Sequence, residues 1–231
     1  HNDVTLICDR EAYSSDRLGV DIGGTEIKFG VLNENNELVY KSQIPTDCSS
    51  AEKLIDDISG KCAEIMKEYY ISGIGIGTPG RIRGGKVNAV NIPFNDLDLK
   101  AAIEEKLNIP VKVSNDANCA ALGEAICGSG NAVKNLVMVS LGTGIGGGII
   151  INNKIYEGMG SAGEIGHFSL DMNGRECPCG MKGCFEQYAS AAALVSSAEA
   201  AAVQNTESVL HKIYSDNGNK LDGKLFFKAV A

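Results

Sequence analysis

The sequence contains no run of basic residues and no apolar stretch long enough to span a bilayer. The first absence, together with a net charge of −8, argues against a nucleic-acid-binding surface, and the second argues against a membrane protein. Residues 1–17 also lack the charged start and long apolar middle of a signal peptide, and this tail has no assigned role. Because eight cysteines occur without a secretory signal, we expect a reducing compartment, the cytoplasm.

The composition is that of an ordinary globular protein rich in glycine. The chain has 231 residues, of which 44% are hydrophobic and 28 are glycine, and this length suits one large domain or two small ones. The glycines cluster at turns between apolar runs, which indicates close approach of the backbone to other groups. Since there is no broad basic surface, a phosphate-bearing ligand has to be bound by backbone N–H groups and a cation.

Residues 163–186 combine four soft metal ligands with two flanking carboxylates. The ligands are His167, Cys177, Cys179 and Cys184. Imidazole and thiolate suit tetrahedral Zn²⁺, and four such ligands leave no position for water, so the motif predicts a structural zinc site. Disulfides or unbonded thiols are the alternative interpretation. A rigid metal loop would hold Glu164 and Glu186 at fixed positions in a pocket. The remaining cysteines are predicted to be small packing residues: Cys8, Cys48, Cys62, Cys119 and Cys127.

A pattern of strand, glycine-threonine turn, strand, asparagine-rich turn and strand occurs twice. The two turns are Gly23-Gly24-Thr25 and Gly142-Thr143-Gly144. Glycine lets backbone N–H groups approach phosphate oxygens, so both turns are predicted phosphate sites, although each alone is equally typical of a plain hairpin. The duplication indicates two related halves that face each other across a cleft.

Apolar periodicity gives the order of elements around these turns. Strands are predicted within 18–25 and at 27–32, 38–44, 71–77, 111–113, 136–141, 145–151 and 154–156. Helices are predicted at 51–70, 97–107, 115–127 and 187–203, with further helices after residue 204. Asp116 precedes an alanine-rich run and is predicted to cap its helix.

Several motifs together resemble the ROK family of sugar kinases, in particular its bacterial glucokinases. The matching segments, in the family's order, are LGVDIGGTEIKFG (18–30), GIGTPG (75–80), NDANCAALGEA (115–125), LGTGIGGGIIINNKIYEG (141–158), GEIGH (163–167) and CPCGMKGCFEQYAS (177–190). A glycine-rich turn alone is a weak signal. The His-x9-Cys-x-Cys-x4-Cys spacing, joined to GEIGH and an Asn-Asp helix start, is highly specific.

The resemblance implies an α/β protein with the two-lobed actin-like fold, in the ribonuclease H-like class that includes sugar kinases and actin. Under this interpretation 18–117 form the N-terminal lobe, and 118–231 form the C-terminal lobe with the zinc loop at 163–186. Family members usually continue with a glycine-rich strand of the adenosine pocket and a final helix. The second lobe is therefore expected to be incomplete.

The activity implied by the resemblance is ATP-dependent phosphorylation of a hexose at the 6-hydroxyl, with glucose favoured, as in glycolysis. The implied ligands are the sugar, ATP, Mg²⁺ and structural Zn²⁺, and the family usually forms homodimers. N-acetylmannosamine, N-acetylglucosamine and fructose are alternative substrates, since one pocket contact can change the preference. Two alternatives without catalysis are a sugar-responsive repressor, which needs a winged-helix domain ahead of Leu18, and a sugar-binding fragment.

Phosphoryl transfer needs immobilised phosphates, neutralised charge and a base at the attacking oxygen. The predicted nucleotide-binding residues are Asp21, Gly23, Gly24, Thr25, Lys28, Gly142, Thr143 and Gly144. Among them Lys28 adds a cation, and Asp21 holds Mg²⁺ through water. Asp116 is the predicted catalytic base, which orients the hydroxyl and accepts its proton late. A helix cap without a catalytic role is the alternative for Asp116.

The sugar pocket implied by the resemblance draws on several segments. Its residues are Gly80, Asn91, Asn115, Asp116, Glu164, His167 and Glu186. His167 is expected to bind zinc through one ring nitrogen and a sugar hydroxyl through the other. A plain loop is the alternative for Asn91.

Overall fold

The computed structural model describes residues 15–83, 85–89 and 92–230. These residues divide into two units, the first comprising 15–138 and 148–163 and the second comprising 139–147 and 164–230. The lobe boundaries at 18–117 and 118–231 remain a prediction. None of the helices among the described residues is long and apolar enough to cross a membrane.

Ten strands and seven helices are defined within the described residues. The strands are β1 (Asp16–Ile22), β2 (Glu26–Leu32), β3 (Leu38–Pro45), β4 (Ile71–Thr78), β5 (Arg81–Arg83), β6 (Lys86–Asn88), β7 (Val111–Asn115), β8 (Leu136–Leu141), β9 (Ile145–Ile151) and β10 (Lys154–Ile155). The helices are α1 (Ala51–Ile65), α2 (Leu99–Leu107), α3 (Asp116–Ile126), α4 (Glu186–Ala189), α5 (Ala191–Gln204), α6 (Val209–Asp216) and α7 (Gly223–Val230).

The main sheet of the first unit has the strand order β3-β2-β1-β4-β7. The first three strands in the chain pair antiparallel through tight turns, whereas β1, β4 and β7 run parallel. Parallel strands need long crossover connections, and α1 and α2 lie in two of them. This arrangement brings the carboxyl ends of β1, β4 and β7 to one edge of the sheet.

The core of the first unit is built from the sheet and the crossover helices. Phe29, Ile74 and Ile76 are buried on the strands, and Leu54 and Ile58 are buried on α1. Their spacing of four on α1 places both side chains on one face of the helix. Helix α2 packs against α1 and β7, so the crossover segments share one apolar core with the strands.

A three-stranded sheet with the order β10-β9-β8 follows. Within the first unit, α3 packs against β4, β7 and β10. A Cβ added at Gly148 on β9 would overlap Ala121 Cβ and approach Ala117 O to 3.0 Å. The missing side chain at Gly148 therefore lets α3 approach β9 closely.

The structure corrects several element boundaries. The helix predicted at 51–70 ends at Ile65, and the helix predicted at 187–203 is divided at Ser190. Ser190 has extended backbone and its hydroxyl accepts from Ala193 N–H at 3.1 Å, which caps α5. The short hairpin of β5 and β6 was not predicted, because three residues are too few to show a period of two.

The predicted cap of α3 is wrong by one residue. Asn115 is the N-cap, and its Oδ1 accepts from the N–H groups of Ala117 and Asn118 at 3.0 and 3.2 Å. Asp116 is instead the first residue of the helix. Asparagine and aspartate cap about equally well, so the sequence alone does not separate the two adjacent positions.

We expect Gly148→Ala to reduce the free energy of unfolding by about 1–3 kcal/mol, because the added methyl group overlaps α3. Gly123→Ala is the matched control: Gly123 lies on α3 with open space beside it, so the change should stabilise by up to about 1 kcal/mol. Denaturant unfolding measures both variants. Equal stability of the two would contradict the close packing of α3 on β9.

Candidate functional site

The carboxyl edge of the parallel strands gathers several predicted site residues of the first unit. Asp21 on β1 is level with Gly77 on β4, and Thr78 is level with Asn115 on β7. Asp116 follows directly at the start of α3. Ligands of open α/β sheets bind at the carboxyl ends of strands, so this edge is the candidate site of the first unit.

The turn between β1 and β2 has an open outer side. Gly23 N–H donates to Glu26 O at 3.0 Å, and Thr46 donates to Thr25 O through its N–H (2.9 Å) and to Gly23 O through its hydroxyl (2.7 Å). The carbonyls of Gly23 and Thr25 are thus bonded within the protein. Chain neighbours aside, no atom of the described residues would lie within 4 Å of a Cβ at Gly24. The turn therefore has space for a ligand beside its backbone.

Asp21 lies in a field of opposing charges. Loss of contact with water raises the pKa of its carboxyl, Lys28 opposes that rise, and Asp116 adds to it. Lys28 is the register partner of Asp21 across the β1–β2 hairpin, and directly opposed residues share a face of the sheet. A Cβ at Gly77, the register partner of Asp21, would lie 3.6 Å from Asp116 Cα. The predicted magnesium ligand and the predicted catalytic base thus lie at the same edge of the sheet, where a cation would stabilise both carboxylates.

Asn115 connects the start of α3 with Gly80. Besides capping the helix, its Nδ2 donates to Gly80 O at 3.2 Å. Gly80 has φ +99°, and an added Cβ would overlap Asn88 O, so only glycine suits this position. Asp116 is exposed, and its Oδ1 accepts from Ala117 N–H at 2.9 Å. Its carboxylate is therefore both accessible and oriented by the helix backbone.

Cys119, which the sequence analysis assigned to packing, is a neighbour of the candidate site. Burial raises the pKa of its thiol to about 12, and the charges of Asp116 and Asp21 add to the rise. Its position three residues after Asp116 on one helix was the signal available in the sequence. Of the other predicted packing cysteines, Cys62 is buried, Cys48 and Cys127 are exposed, which makes the prediction wrong for them, and Cys8 lies outside the described residues.

The four predicted metal ligands of the second unit form one cluster. The ligand atoms of His167, Cys177, Cys179 and Cys184 all lie within 4.8 Å of one another. His167 Nδ1 is 3.7 Å from Cys177 Sγ, and the Sγ atoms of Cys179 and Cys184 are 3.6 Å apart. On a tetrahedral Zn²⁺ with bonds of ~2.3 Å to sulfur and ~2.0 Å to nitrogen, neighbouring ligand atoms would lie about 3.5–3.8 Å apart. The cluster therefore fits one such ion.

The thiols of this cluster are not joined in disulfides, which removes the disulfide alternative for the motif and leaves unbonded thiols as the other alternative. Burial raises the pKa of the Cys184 thiol to about 12. A hydrogen bond from the backbone of Met181 lowers the pKa of the Cys179 thiol. A metal ion binds thiolates and displaces their protons, so it would be needed to ionise Cys184.

The loop around the cluster is held by its own backbone. Leu170 N–H donates to Gly183 O at 2.8 Å, and Cys177 N–H donates to Met181 O at 2.9 Å. Gly183 has φ +72°, and an added Cβ would overlap the backbone of Asp171. Arg175 places its guanidinium 5.0 Å from the ring centre of Tyr188. Turns and a cation–π contact thus shape the loop around the ligand atoms.

Glu186 contacts the second glycine-threonine turn within the second unit. Its Oε2 accepts from Ile145 N–H at 3.0 Å, and a Cβ at Gly144 would overlap the same oxygen. Glu164 is exposed and directly precedes a 3₁₀ turn, Ile165–His167. The structure thereby brings Glu186 and the turn at 142–144 together, a contact that the sequence analysis did not predict.

The predicted site residues are distributed over both units. The first unit carries Asp21, Gly23, Gly24, Thr25, Lys28, Gly80, Asn115 and Asp116, and the second carries Gly142, Thr143, Gly144, Glu164, His167, Cys177, Cys179, Cys184 and Glu186. Asn91 lies outside the described residues. The ligand roles of these residues remain predictions.

Comparison with known proteins gives consistent likenesses. The model of the ROK family matches residues 17–231. The glucokinase of Halalkalibacterium halodurans is 41% identical over 217 residues, which cover 88% of this chain and 66% of the relative. The xylose repressor of Bacillus subtilis is 38% identical over 202 residues, which cover 84% of this chain and 52% of the relative. The chain thus spans between half and two thirds of these two relatives.

A solved structure of a ROK family glucokinase from Streptomyces griseus in complex with glucose and AMPPNP is also similar. It is 36% identical with a TM-score of 0.77, over 93% of this chain and 70% of that chain. The likeness confirms the predicted α/β fold of the actin-like class. Kinases and repressors resemble the chain at comparable identity.

We expect Asp21→Asn to stabilise the protein at neutral pH, by less than about 1 kcal/mol, because the carboxylate is only partly desolvated and solvent still screens it. The raised pKa means that folding disfavours the anion. The gain should therefore vanish as the pH falls below about 3.9, the usual pKa of aspartate, where the carboxyl is protonated in both states. Denaturant unfolding between pH 3 and 7 measures the gain, with Asp16→Asn at the other end of β1 as control. A loss of stability at neutral pH would contradict this account.

Proposed function

The chain belongs to the ROK family, and from this premise we propose that it carries the machinery of a sugar kinase. In this proposal ATP phosphorylates the 6-hydroxyl of a hexose, and glucose is the favoured substrate. The observation that carries the proposal is the pair of carboxylates, Asp21 and Asp116, at the carboxyl edge of the parallel strands. The similar glucokinase from Streptomyces griseus in complex with glucose and AMPPNP supports the ligand classes.

Asp116 is the proposed catalytic base. Its exposed carboxylate is held at the first position of α3, and Asn115 supplies the helix cap. In a loose phosphoryl-transfer transition state the base orients the hydroxyl and accepts its proton late. A carboxylate fixed by a helix start and accessible to substrate meets that requirement.

The nucleotide is assigned to the two glycine-threonine turns. Backbone N–H groups of residues 24–25 and 143–144 would hold phosphate oxygens, and Lys28 would add positive charge. The N–H groups of Gly23 and Gly142, also predicted to bind phosphate, instead donate within their own turns, to Glu26 O and Gly144 O. Asp21 would hold Mg²⁺ through water, and the ion would neutralise phosphate charge. The partly desolvated Asp21 beside Asp116 fits such a cation, because both carboxylates would be stabilised by it.

The sugar is assigned to polar side chains from several segments. In the first unit Asn115 would bind a hydroxyl and Gly80 would leave room beside it, and in the second unit Glu164 and Glu186 would bind hydroxyls. His167 directs Nδ1 toward Cys177 Sγ, which leaves Nε2 for a sugar hydroxyl. The role of Asn91 in binding sugar remains a prediction. The same holds for a homodimer, for a cytoplasmic location and for the choice among glucose, N-acetylated hexosamines and fructose.

The cysteine-histidine cluster is assigned to a structural Zn²⁺. Three thiolates and one imidazole complete a tetrahedral shell and leave no position for water. The ion would fix the loop from which Glu164 and Glu186 project. Its role is thus to position residues that bind sugar.

A sugar-responsive repressor is the second candidate function, favoured by the 38% identity to the xylose repressor of Bacillus subtilis. The two candidates differ in turnover. A coupled assay of ATP consumption over a panel of hexoses decides between them, because a kinase turns over and a sensor only binds. Sugar binding by calorimetry without any ATP consumption would favour the sensor or the sugar-binding fragment.

We expect Asp116→Asn to lower turnover by about 10²–10⁴-fold, as expected for loss of a general base, while sugar binding and thermal stability stay near wild type. Stability should persist because Asn115 caps the helix. The coupled assay, calorimetry and thermal unfolding measure the three quantities. Asp56→Asn, at a surface carboxylate on α1 that is 61% exposed, is the control. Wild-type turnover in Asp116→Asn would remove this residue from the mechanism.

We expect about one zinc ion per chain by elemental analysis, and we expect Cys184→Ser to abolish it. Loss of the ion should reduce the free energy of unfolding by at least about 3 kcal/mol, because the buried ligands then lack their common partner. Cys127→Ser, at an exposed cysteine outside the cluster, should retain metal and stability. Metal-free, folded wild type with the cluster thiols oxidised to one another would refute the assignment.

A further inference from the structure

Glu186, which the proposed function assigns to the sugar, contacts the turn at 142–144, which it assigns to the nucleotide. One carboxylate oxygen, Oε2, accepts from Ile145 N–H at 3.0 Å. Ile145 is the first residue of β9 and directly follows the turn at 142–144. The same oxygen occupies the place that a Cβ of Gly144 would take. The carboxylate is thus packed against the turn as well as hydrogen bonded beside it.

Two further contacts hold the turn at 142–144, one from within the zinc loop at 163–186 and one from the residue that begins α5. A Cβ at Gly166 would overlap Ile145 O, so the segment before His167 lies directly on the peptide group of Ile145. Ala191, at the start of α5, donates its N–H to Gly142 O at 2.9 Å. Gly166, near the start of the zinc loop, and Ala191, just after its end, therefore contact the turn or the residue after it.

From this geometry we propose that Glu186 is a positioning residue for the nucleotide-binding turn at 142–144, in addition to its role at the sugar. The inference rests on the proposed function for the identity of both ligands. One oxygen of the carboxylate holds the turn, and the other remains for a sugar hydroxyl. Cys184, two residues before Glu186, ties this arrangement to the metal-ligand cluster.

Glu186 would matter for nucleotide binding because it fixes the direction of backbone N–H donors in the turn. Backbone N–H groups bind a phosphate well only when their directions are fixed before the ligand arrives. A turn made of glycines has few restraints of its own. A charge-assisted hydrogen bond from Ile145 to Glu186 supplies one at the end of the turn. Removing the acceptor should therefore weaken nucleotide binding even when no sugar is present.

The test is binding of Mg²⁺-AMPPNP to the full chain by calorimetry in the absence of sugar. Glu186→Ala removes the acceptor and should weaken nucleotide binding about tenfold. Glu186→Gln keeps a side-chain oxygen that can accept from Ile145 N–H, so it should stay within about twofold of wild type. Glu176→Ala, at a side chain of the same loop that is 86% exposed, should also match wild type. A simple loss of sugar contacts would not separate Ala from Gln in this assay.

A second measurement needs no ligand. Gly144→Ala should displace the Glu186 carboxylate and lower the melting temperature, and the loss should be smaller in a Glu186→Ala background, where the overlapping oxygen is gone. Gly142→Ala is the control, because the nearest atom to its added Cβ is 4.0 Å away. Amide hydrogen exchange at Ile145 should become faster in Glu186→Ala.

The outcomes separate the inference from the proposed function. If wild type binds no nucleotide, the proposed function fails, and the melting temperatures and the exchange at Ile145 still decide whether Glu186 positions the turn. If wild type binds nucleotide and Glu186→Ala binds it equally well, the inference is overturned while the kinase proposal stands. Equal weakening by Ala and Gln, or additive effects of the Gly144 and Glu186 variants, would also overturn it.

Discussion

Parallel pairing of β1, β4 and β7 is the constraint on which the candidate site of the first unit depends. The register sets Asp21 level with Gly77 and Thr78 level with Asn115. Residues that are more than fifty positions apart in the sequence therefore meet at one edge of the sheet. The buried faces of the strands hold this register, since a slip by one residue would turn apolar side chains such as Ile74 and Ile76 toward water.

In the second unit the comparable constraint is the convergence of four side chains from a short loop. Their ligand atoms meet because glycines at 180 and 183 adopt positive φ and because the loop backbone is bonded to itself at Leu170 and Cys177. The loop then delivers Glu186 to Ile145 N–H. Backbone geometry, rather than a large apolar core, thus determines where this carboxylate lies.

Many of the strands and the metal-ligand cluster could be predicted from the sequence, because the patterns that indicate them are local. An apolar run and a glycine-rich run on either side of the turn at 142–144 predicted β8 and β9 with correct bounds, and ligand spacing predicted the cluster at His167 and Cys184. The contact between Glu186 and Ile145 could not be predicted, since it joins residues about forty positions apart through a hydrogen bond that has no sequence pattern. The proximity of Cys119 to Asp21 depends in the same way on tertiary packing.

The separation of Asn115 and Asp116 has a consequence for how the family could diversify. The side-chain amide of Asn115 caps the start of α3. The neighbouring carboxylate of Asp116 is therefore not needed to stabilise the helix. Chemistry at this position can then be lost through one substitution without melting the scaffold. Under the proposed function, an enzyme and a sugar binder without turnover are one mutation apart, whereas a regulator also needs a DNA-binding domain.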